Sequence, residues 1–140
     1  MLIAGIGGGR RSGAAAVVDA GRLVGVCSQE RVNRVRGAGV GANGLADEAL
    51  DQILRAIGRP RGAVDHYVAV AGDGPAPGPG VARVDHHLAH ACTAYLTSPF
   101  ASSVVVVCDH EGPEVSVWMG DGAAVRPVSW PWHGPGFVSV

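Results

Sequence analysis

The sequence predicts an α/β fold, because apolar runs typical of strands alternate along the chain with stretches of helical periodicity. At 140 residues the chain is long enough to bury a real core. Hydrophobic residues make up 47% of it and its formal net charge is −1, as in an ordinary globular protein. The predicted strands cover residues 2–7, 14–19, 23–28, 64–71, 103–108, 115–120 and 123–130, and the predicted helices cover residues 45–57 and 86–96.

Two short turns join the first three predicted strands. Gly7, Gly8 and Gly9 follow the first strand, and Asp-Ala-Gly-Arg at 19–22 has the composition of a hairpin turn between the next two. Glycine turns are most often plain turns, but their backbone N–H groups can also bind phosphate. Gly7 and Gly8 are therefore candidate phosphate-binding residues.

The first helix is predicted from a stripe of apolar residues between Leu45 and Ile57. Gly58 should end it, with Pro60 shortly beyond. The strand at 64–71 follows, and we expect His66 at its edge or on the surface. Residues 72–80 read GDGPAPGPG, a composition that forms a loop.

The second helix contains a pair of histidines, His86 and His90, within the segment VDHHLAHA. Side chains four residues apart lie on one face of a helix, so two ring nitrogens can converge on one cation. Asp109 ends the apolar run at 103–108, which we expect to be a buried strand, and could provide a third ligand. Two histidines and one carboxylate form a set used by catalytic metals, including non-haem iron.

Simpler explanations exist for each of these residues. Asp85 could be only a helix cap, Asp109 could merely start a turn, and one His-x-x-x-His pair is often a surface feature. His87 is turned about 100° from His86 and lies either beside the metal ligands or simply in the first turn. His86, His90 and Asp109 together favour a metal site, and the metal could be iron, zinc or manganese.

The predicted strand pair at 115–120 and 123–130 completes an order of three strands, helix, strand, helix and further strands. This is the order of one lobe of the actin-like ATPase (ribonuclease H-like) fold, a mixed sheet with flanking helices. We predict a single such lobe over residues 1–140.

Several segments together resemble the amino-terminal part of the carbamoyltransferases that include nodulation proteins and antibiotic-tailoring enzymes. The resemblance covers most of the chain, and its most specific parts are the HHLAHA and SPF elements. The matching segments are LIAGIG at 2–7, QERVNRVR at 29–36, VDHHLAHA at 84–91, YLTSPF at 95–100 and the strand ending in Asp109.

The resemblance implies an iron ion held by His86, His90 and Asp109, with a fourth ligand from a second lobe. It also implies that carbamoyl adenylate, made from carbamoyl phosphate and ATP, is bound near the metal. The carbamoyl group would pass to a hydroxyl or amine of a small-molecule acceptor. Arg36 matches the basic residue that contacts the adenylate, and nucleotide-binding hairpins of actin-like folds support the phosphate role of the glycine turn.

The chain departs from the family at three places. Arg10 and Arg11 replace a His-Asp pair near the acceptor, and an arginine stays protonated where an imidazole could act as a base. Gln29 replaces a glutamate, and His110 and Glu111 are inserted after Asp109. We therefore assign no catalytic residue, and the acceptor is left unspecified.

The second lobe and the domain that makes carbamoyl adenylate are not in this chain. We expect either a fragment or a lobe whose site is completed by a partner chain or by homo-oligomerisation. The alternative function is a non-catalytic binding or regulatory subunit. A third possibility, an actin-like nucleotide-binding scaffold without metal, leaves the histidine motif unexplained.

Composition argues against several other classes. All eleven basic residues are arginine. The sequence has no basic run interleaved with aromatic residues, which is the pattern typical of nucleic-acid binding. Cys27, Cys92 and Cys108 form an odd set that we expect to be buried free thiols in a reducing compartment. No signal peptide and no apolar run of the ~20 residues needed to span a membrane is visible, so a cytoplasmic protein is expected.

Overall fold

The computed structural model describes residues 1–70, 72–109 and 115–130. The chain divides into two compact units, Met1–Val84 and Asp85–Val140. The elements of the first unit are β1 (Leu2–Gly7), β2 (Ala14–Asp19), β3 (Arg22–Ser28), α1 (Gln29–Asn33), α2 (Asp47–Ala56), a 3₁₀ turn (Arg61–Ala63), β4 (His66–Val70) and β5 (Val81–Val84). Those of the second are α3 (His86–Leu96), β6 (Ser102–Cys108), β7 (Val115–Asp121) and β8 (Ala124–Val128).

The first unit is built on a five-stranded mixed sheet with the order β3-β2-β1-β4-β5. β1, β2 and β3 form an antiparallel meander, while β4 lies parallel to β1 and β5 parallel to β4. The predicted hairpin turn is present between β2 and β3. Ala20 and Gly21 both have positive φ values, 48° and 78°, as a two-residue turn of the type that matches strand twist requires.

Helix α2 covers the sheet of the first unit. Leu50 and Leu54 are fully or almost fully buried, and they pack with Leu2, Ile6 and Val17 of the first two strands. The apolar stripe extends beyond the helix, because Leu45 and Ala46 join the core before the helix begins at Asp47. Gly58, with φ +66°, follows the end of the helix as predicted.

Besides the short 3₁₀ turn, one helix and one strand of the first unit were not predicted. α1 has five residues, which is too short for a helical stripe to be visible in the sequence. β5 has four residues and directly follows the Gly/Pro-rich loop. His66 is the first residue of β4 and is exposed, as expected.

The second unit is a three-stranded antiparallel meander, β6-β7-β8, with α3 against one face. Ala91 of α3 packs with Val107 and Trp118 in a small core. The expectation that 103–108 is a buried strand is wrong for one face, since Val104 and Val106 are 59% and 57% exposed. Alternate residues of β6 face opposite sides of the sheet, and within the described residues only one side is packed.

The predicted α/β fold with a mixed sheet and flanking helices is confirmed. The assignment of all 140 residues to one lobe stays a prediction. The three cysteines are free, but they are not buried as expected: Cys108 is exposed, and Cys27 and Cys92 are half-buried. Burial raises the pKa of the Cys92 thiol. Among the described residues, no helix combines the length and apolarity needed to cross a membrane.

Candidate metal centre

Helix α3 begins at His86, the first histidine of the motif, and Asp85 fixes this starting position. The Asp85 carboxylate accepts a hydrogen bond from the backbone N–H of Leu88, at 2.9 Å. This is the N-cap interaction that satisfies one of the unpaired N–H groups of the first turn. The helix therefore begins at His86, and Asp85 is a cap.

The four-residue spacing brings the two predicted histidine ligands together on α3. The Nε2 atoms of His86 and His90 lie 3.0 Å apart. Their ring centroids are 4.6 Å apart and the rings meet edge to face. Both rings direct the same nitrogen toward the same point, which is the arrangement predicted from the sequence.

Asp109 joins this pair from the residue after β6. Its Oδ2 atom lies 2.9 Å from Nε2 of His86 and 3.0 Å from Nε2 of His90. Packing of α3 on the inner face of the sheet, through Ala91 and Val107, holds the helix near the end of β6. The structure thus brings together the three residues that the sequence predicted as metal ligands.

The three potential ligand atoms form a nearly equilateral triangle with edges of 2.9–3.0 Å. Three adjacent ligands of an octahedral ion lie about 3.0 Å apart when each is about 2.1 Å from the metal, whereas tetrahedral ligands lie about 3.4 Å apart. The donor set, two imidazoles and one carboxylate on one face, is that of the facial triad. The residues present therefore fit a divalent metal.

The site is more open on one side than on the other. The side chains of Asp109 and His86 are 15% and 27% exposed, whereas that of His90 is 52% exposed. A metal held by three protein ligands needs open positions to act on a substrate, and exposure on the His90 side leaves space for them.

His87 is buried beside this pair and has a different environment. It is 3% exposed, and its Nδ1 atom lies 2.6 Å from Oγ of Ser116, which also accepts a hydrogen bond from the indole N–H of Trp118 at 2.8 Å. This contact ties the first turn of α3 to β7. Sequence reasoning missed Ser116 and Trp118, although their spacing of two places them on the same face of a strand.

The glycine turn after β1 lies in the first unit. Gly8 has φ +81°, and a Cβ there would overlap the backbone of Ser12. Most N–H groups of the turn already have protein acceptors: Gly9 donates to the Arg11 carbonyl, Arg10 to the Asp73 carboxylate, Ser12 to Gly37 and Gly13 to Ala38. Gly7 simply ends β1, where it pairs with Ala14.

The segment matching QERVNRVR forms α1 and the turn after it. Glu30 accepts a hydrogen bond from the backbone N–H of Gly37 at 2.9 Å, which holds this turn. Arg36 lies exposed in the turn and forms no ion pair within the part of the chain that the structure describes. Gln29 is 4% exposed and binds the first turn of α2 through Ala49 and Glu48. The insertion of His110 and Glu111 lies outside the described residues.

Comparisons with known proteins support the fold. No family model matches the chain, and no curated protein matches its sequence. Its structure is similar to the activator of 2-hydroxyisocaproyl-CoA dehydratase from Clostridium difficile, with a TM-score of 0.53 and 15% identity over 86% of this chain and 46% of that one. It is also similar to YeaZ from Pseudomonas aeruginosa, with a TM-score of 0.55 and 14% identity over 93% of this chain and 67% of that one.

A second Pseudomonas aeruginosa structure, described as an uncharacterised protein with similarity to peptidase YeaZ, matches with a TM-score of 0.54 and 15% identity. That match covers 94% of this chain and 70% of the other. The chain thus spans about half the length of the dehydratase activator and about two thirds of the other two. At these identities the similarity concerns the fold alone: the chain has the actin-like ATPase (ribonuclease H-like) fold.

Proposed function

We propose that this chain is part of a carbamoyltransferase that transfers a carbamoyl group from carbamoyl adenylate to a hydroxyl or amine of a small-molecule acceptor. The observation that supports this most directly is the triangle of His86, His90 and Asp109, with edges of 2.9–3.0 Å. The sequence resemblance suggests the reaction, and the triangle supports a site for the metal that this reaction would use.

In this proposal His86, His90 and Asp109 hold a divalent metal, which we propose to be Fe(II). A metal bound there supplies Lewis-acid polarisation of a carbonyl oxygen. The three side chains would hold the metal, and exposure on the His90 side would leave room for substrate.

The adenylate is assigned to the first unit, where Arg36 and the turn at Gly7 and Gly8 are the proposed contacts. An arginine binds phosphoryl oxygens through two parallel N–H donors, and Arg36 is exposed and without an ion pair among the described residues. The structure of the dehydratase activator carries bound ADPNP, which supports nucleotide binding by a chain of this fold. A partner chain, or a second copy, supplies the remainder of the site.

The alternative is a non-catalytic binding or regulatory subunit. One observation favours it: the Arg10 guanidinium, at the position of the family's histidine, donates to the Asp73 carbonyl at 3.1 Å. A protonated group held in this way cannot accept a proton from an acceptor hydroxyl.

Metal binding is the first test, because it does not require the missing parts of the enzyme. Wild type and the His86→Ala and Asp109→Asn variants would be purified anaerobically, titrated with Fe(II) and analysed for metal content. Exposed His66 in the first unit provides a matched control, His66→Ala. We expect about one iron per chain in wild type and in the control, and at least about ten-fold weaker binding in both ligand variants.

Equal metal content in all four proteins, or none in wild type at excess Fe(II), would refute the metal site. Activity then separates the two functions. A carbamoyltransferase whose own histidine ligands have been replaced would be mixed with this chain, carbamoyl phosphate, ATP and candidate acceptors. Restored transfer by wild type but not by Asp109→Asn supports the catalytic role, and no restoration supports the binding subunit.

A further inference from the structure

The turn between β1 and β2, residues 8–13, binds a carboxylate of the same chain, that of Asp73. Oδ1 of Asp73 accepts the backbone N–H of Arg10 at 3.0 Å. The Arg10 guanidinium returns to the same residue, donating from Nε to the Asp73 carbonyl at 3.1 Å. Asp73 thus receives two hydrogen bonds from one residue of the turn, 63 positions away in sequence.

The backbone around this contact is shaped for close approach. Gly8 is in the left-handed region, a backbone conformation that favours glycine. A Cβ at Gly9 would overlap the Asp73 carboxylate, and a Cβ at Gly74 would lie 2.8 Å from Cα of Gly9. Only glycine at both positions allows the two backbones to meet here.

The chemistry of this contact is that of an oxyanion site. A backbone N–H in a glycine turn is a donor group that phosphoryl oxygens use, and Arg10 and Arg11 add positive charge beside it. A carboxylate and a phosphoryl group both present acceptor oxygens only, and both carry negative charge. The Asp73 carboxylate therefore occupies the N–H donor that an external phosphoryl group would use, so the two groups would compete for it.

The loop that carries Asp73 is weakly attached. Within the part of the chain that the structure describes, the hydrogen bonds from residues 72–77 to other segments are the two to Arg10. Pro75 and Pro77 additionally lie against Gly44, and Gly74 lies against Gly9 and Val40. With only two hydrogen bonds to other described segments, this Gly/Pro-rich loop opens at a lower free-energy cost than the strands that it joins.

We propose that Asp73 is an internal competitor at a phosphoryl-binding turn, so that the turn binds a phosphorylated ligand only when the loop at 72–80 is displaced. This rests on the nucleotide part of the proposed function but is independent of the metal. The apparent affinity for phosphoryl groups equals the intrinsic affinity multiplied by the fraction of molecules in which Asp73 has left the turn. Removing its carboxylate should therefore strengthen binding.

Inorganic pyrophosphate is a suitable probe, because it presents phosphoryl oxygens without a base or sugar. Binding would be measured by calorimetry and by amide shifts of ¹⁵N-labelled protein, for wild type, Asp73→Ala and Asp73→Asn. Asp73→Asn keeps an oxygen acceptor for Arg10 but loses the charge. The control is Asp121→Ala, which makes the same charge change at the exposed end of β7 in the second unit.

We expect Asp73→Ala to bind pyrophosphate about ten-fold or more tightly than wild type, with Asp73→Asn between them and Asp121→Ala at the wild-type value. The largest amide shifts should fall on Gly8, Gly9, Arg10 and Arg11. If Asp73→Ala does not fold, Asp73→Asn alone decides. No gain over Asp121→Ala, no binding by any variant, or shifts elsewhere would overturn the proposal.

Iron content of the Asp73 variants separates this inference from the proposed function. If the Asp73 variants bind pyrophosphate more strongly but bind no Fe(II), the role of Asp73 is supported and the carbamoyltransferase assignment is refuted. If they bind one iron per chain but show unchanged pyrophosphate binding, the metal site is supported and the role of Asp73 is refuted.

Discussion

Gln29 offers the sharpest test of how the first unit is held together. It begins α1 and is 4% exposed. Its Oε1 accepts the backbone N–H of Ala49 at 3.0 Å, and its Nε2 donates to the Glu48 carboxylate. The amide thus satisfies an N–H in the first turn of α2 and a carboxylate at once, which glutamate, the residue of the resembled family, cannot do while ionised.

The perturbation is Gln29→Glu, which replaces a donor by a second carboxylate. Two unit charges 4 Å apart repel by about 4 kcal/mol at an effective dielectric constant of 20. Glu48 is itself exposed, so water screens part of this repulsion. We therefore expect a loss of about 2 kcal/mol in the free energy of unfolding at pH 7.5.

The pH dependence separates charge repulsion from lost hydrogen bonding. Repulsion raises the folded-state pKa of the carboxyl introduced at position 29 above the value of about 4.3 for an unfolded glutamate. The folded variant then binds more protons than the unfolded chain between those values. The loss of stability relative to wild type is therefore complete above the folded pKa. It shrinks as pH falls through that pKa, because a protonated glutamate can again donate a hydrogen bond to Glu48.

Urea denaturation followed by circular dichroism at pH 7.5, 6 and 5 measures this deficit, with Gln29→Met as the uncharged control. Gln29→Met loses both hydrogen bonds, so it should be destabilised by about 1–3 kcal/mol with little additional pH dependence. A Gln29→Glu deficit that stays constant across this range, or that grows as pH falls, would refute the reasoning.

Two further predictions concern packing and an ion pair. Gly120→Ala places a Cβ against the ring of Tyr95, so it should lower the stability of the second unit by about 1–3 kcal/mol in thermal melts, whereas Gly62→Ala, where the space is open, should be nearly neutral. Burial alone would raise the pKa of the Asp47 carboxyl, but its hydrogen bonds with Arg61 and Asn43 and the charge of Arg61 hold that pKa below the usual 3.8. Ionised Asp47 therefore stabilises the fold above the unfolded pKa, and this stability is lost as pH falls through the lower folded pKa. Asp47→Asn should lower the free energy of unfolding by about 1 kcal/mol at pH 7, measured by urea denaturation. The difference from wild type should disappear in acid.

The convergence of His86 and His90 was predictable because it depends on local rules. His86 and His90 converge through helix periodicity, and Asp85 caps because of its residue type at the helix start. Asp109 was predicted from its place at the end of an apolar run, although that strand is buried on one face only. Each prediction needed only a few neighbouring residues and the element they belong to.

The remaining contacts of the candidate sites could not be predicted, because they join distant segments through individual side-chain atoms. Asp73 meets Arg10 across 63 positions, and Gln29 meets Ala49 across 20. In the sequence, Asp73 is one residue of a loop and Gln29 is a departure from a motif. Only the sheet order, which brings the ends of β1 and β4 to one edge, shows how Asp73 can meet Arg10.

The position of β6 has a practical consequence for the isolated chain. Among the described residues β6 pairs with β7 alone, and its SSVVVVC sequence contains neither a charge nor a proline. An uncovered edge of this composition is a template for intermolecular strand addition, the first step of cross-β aggregation. We therefore expect association that grows with protein concentration and is suppressed whenever another strand covers this edge.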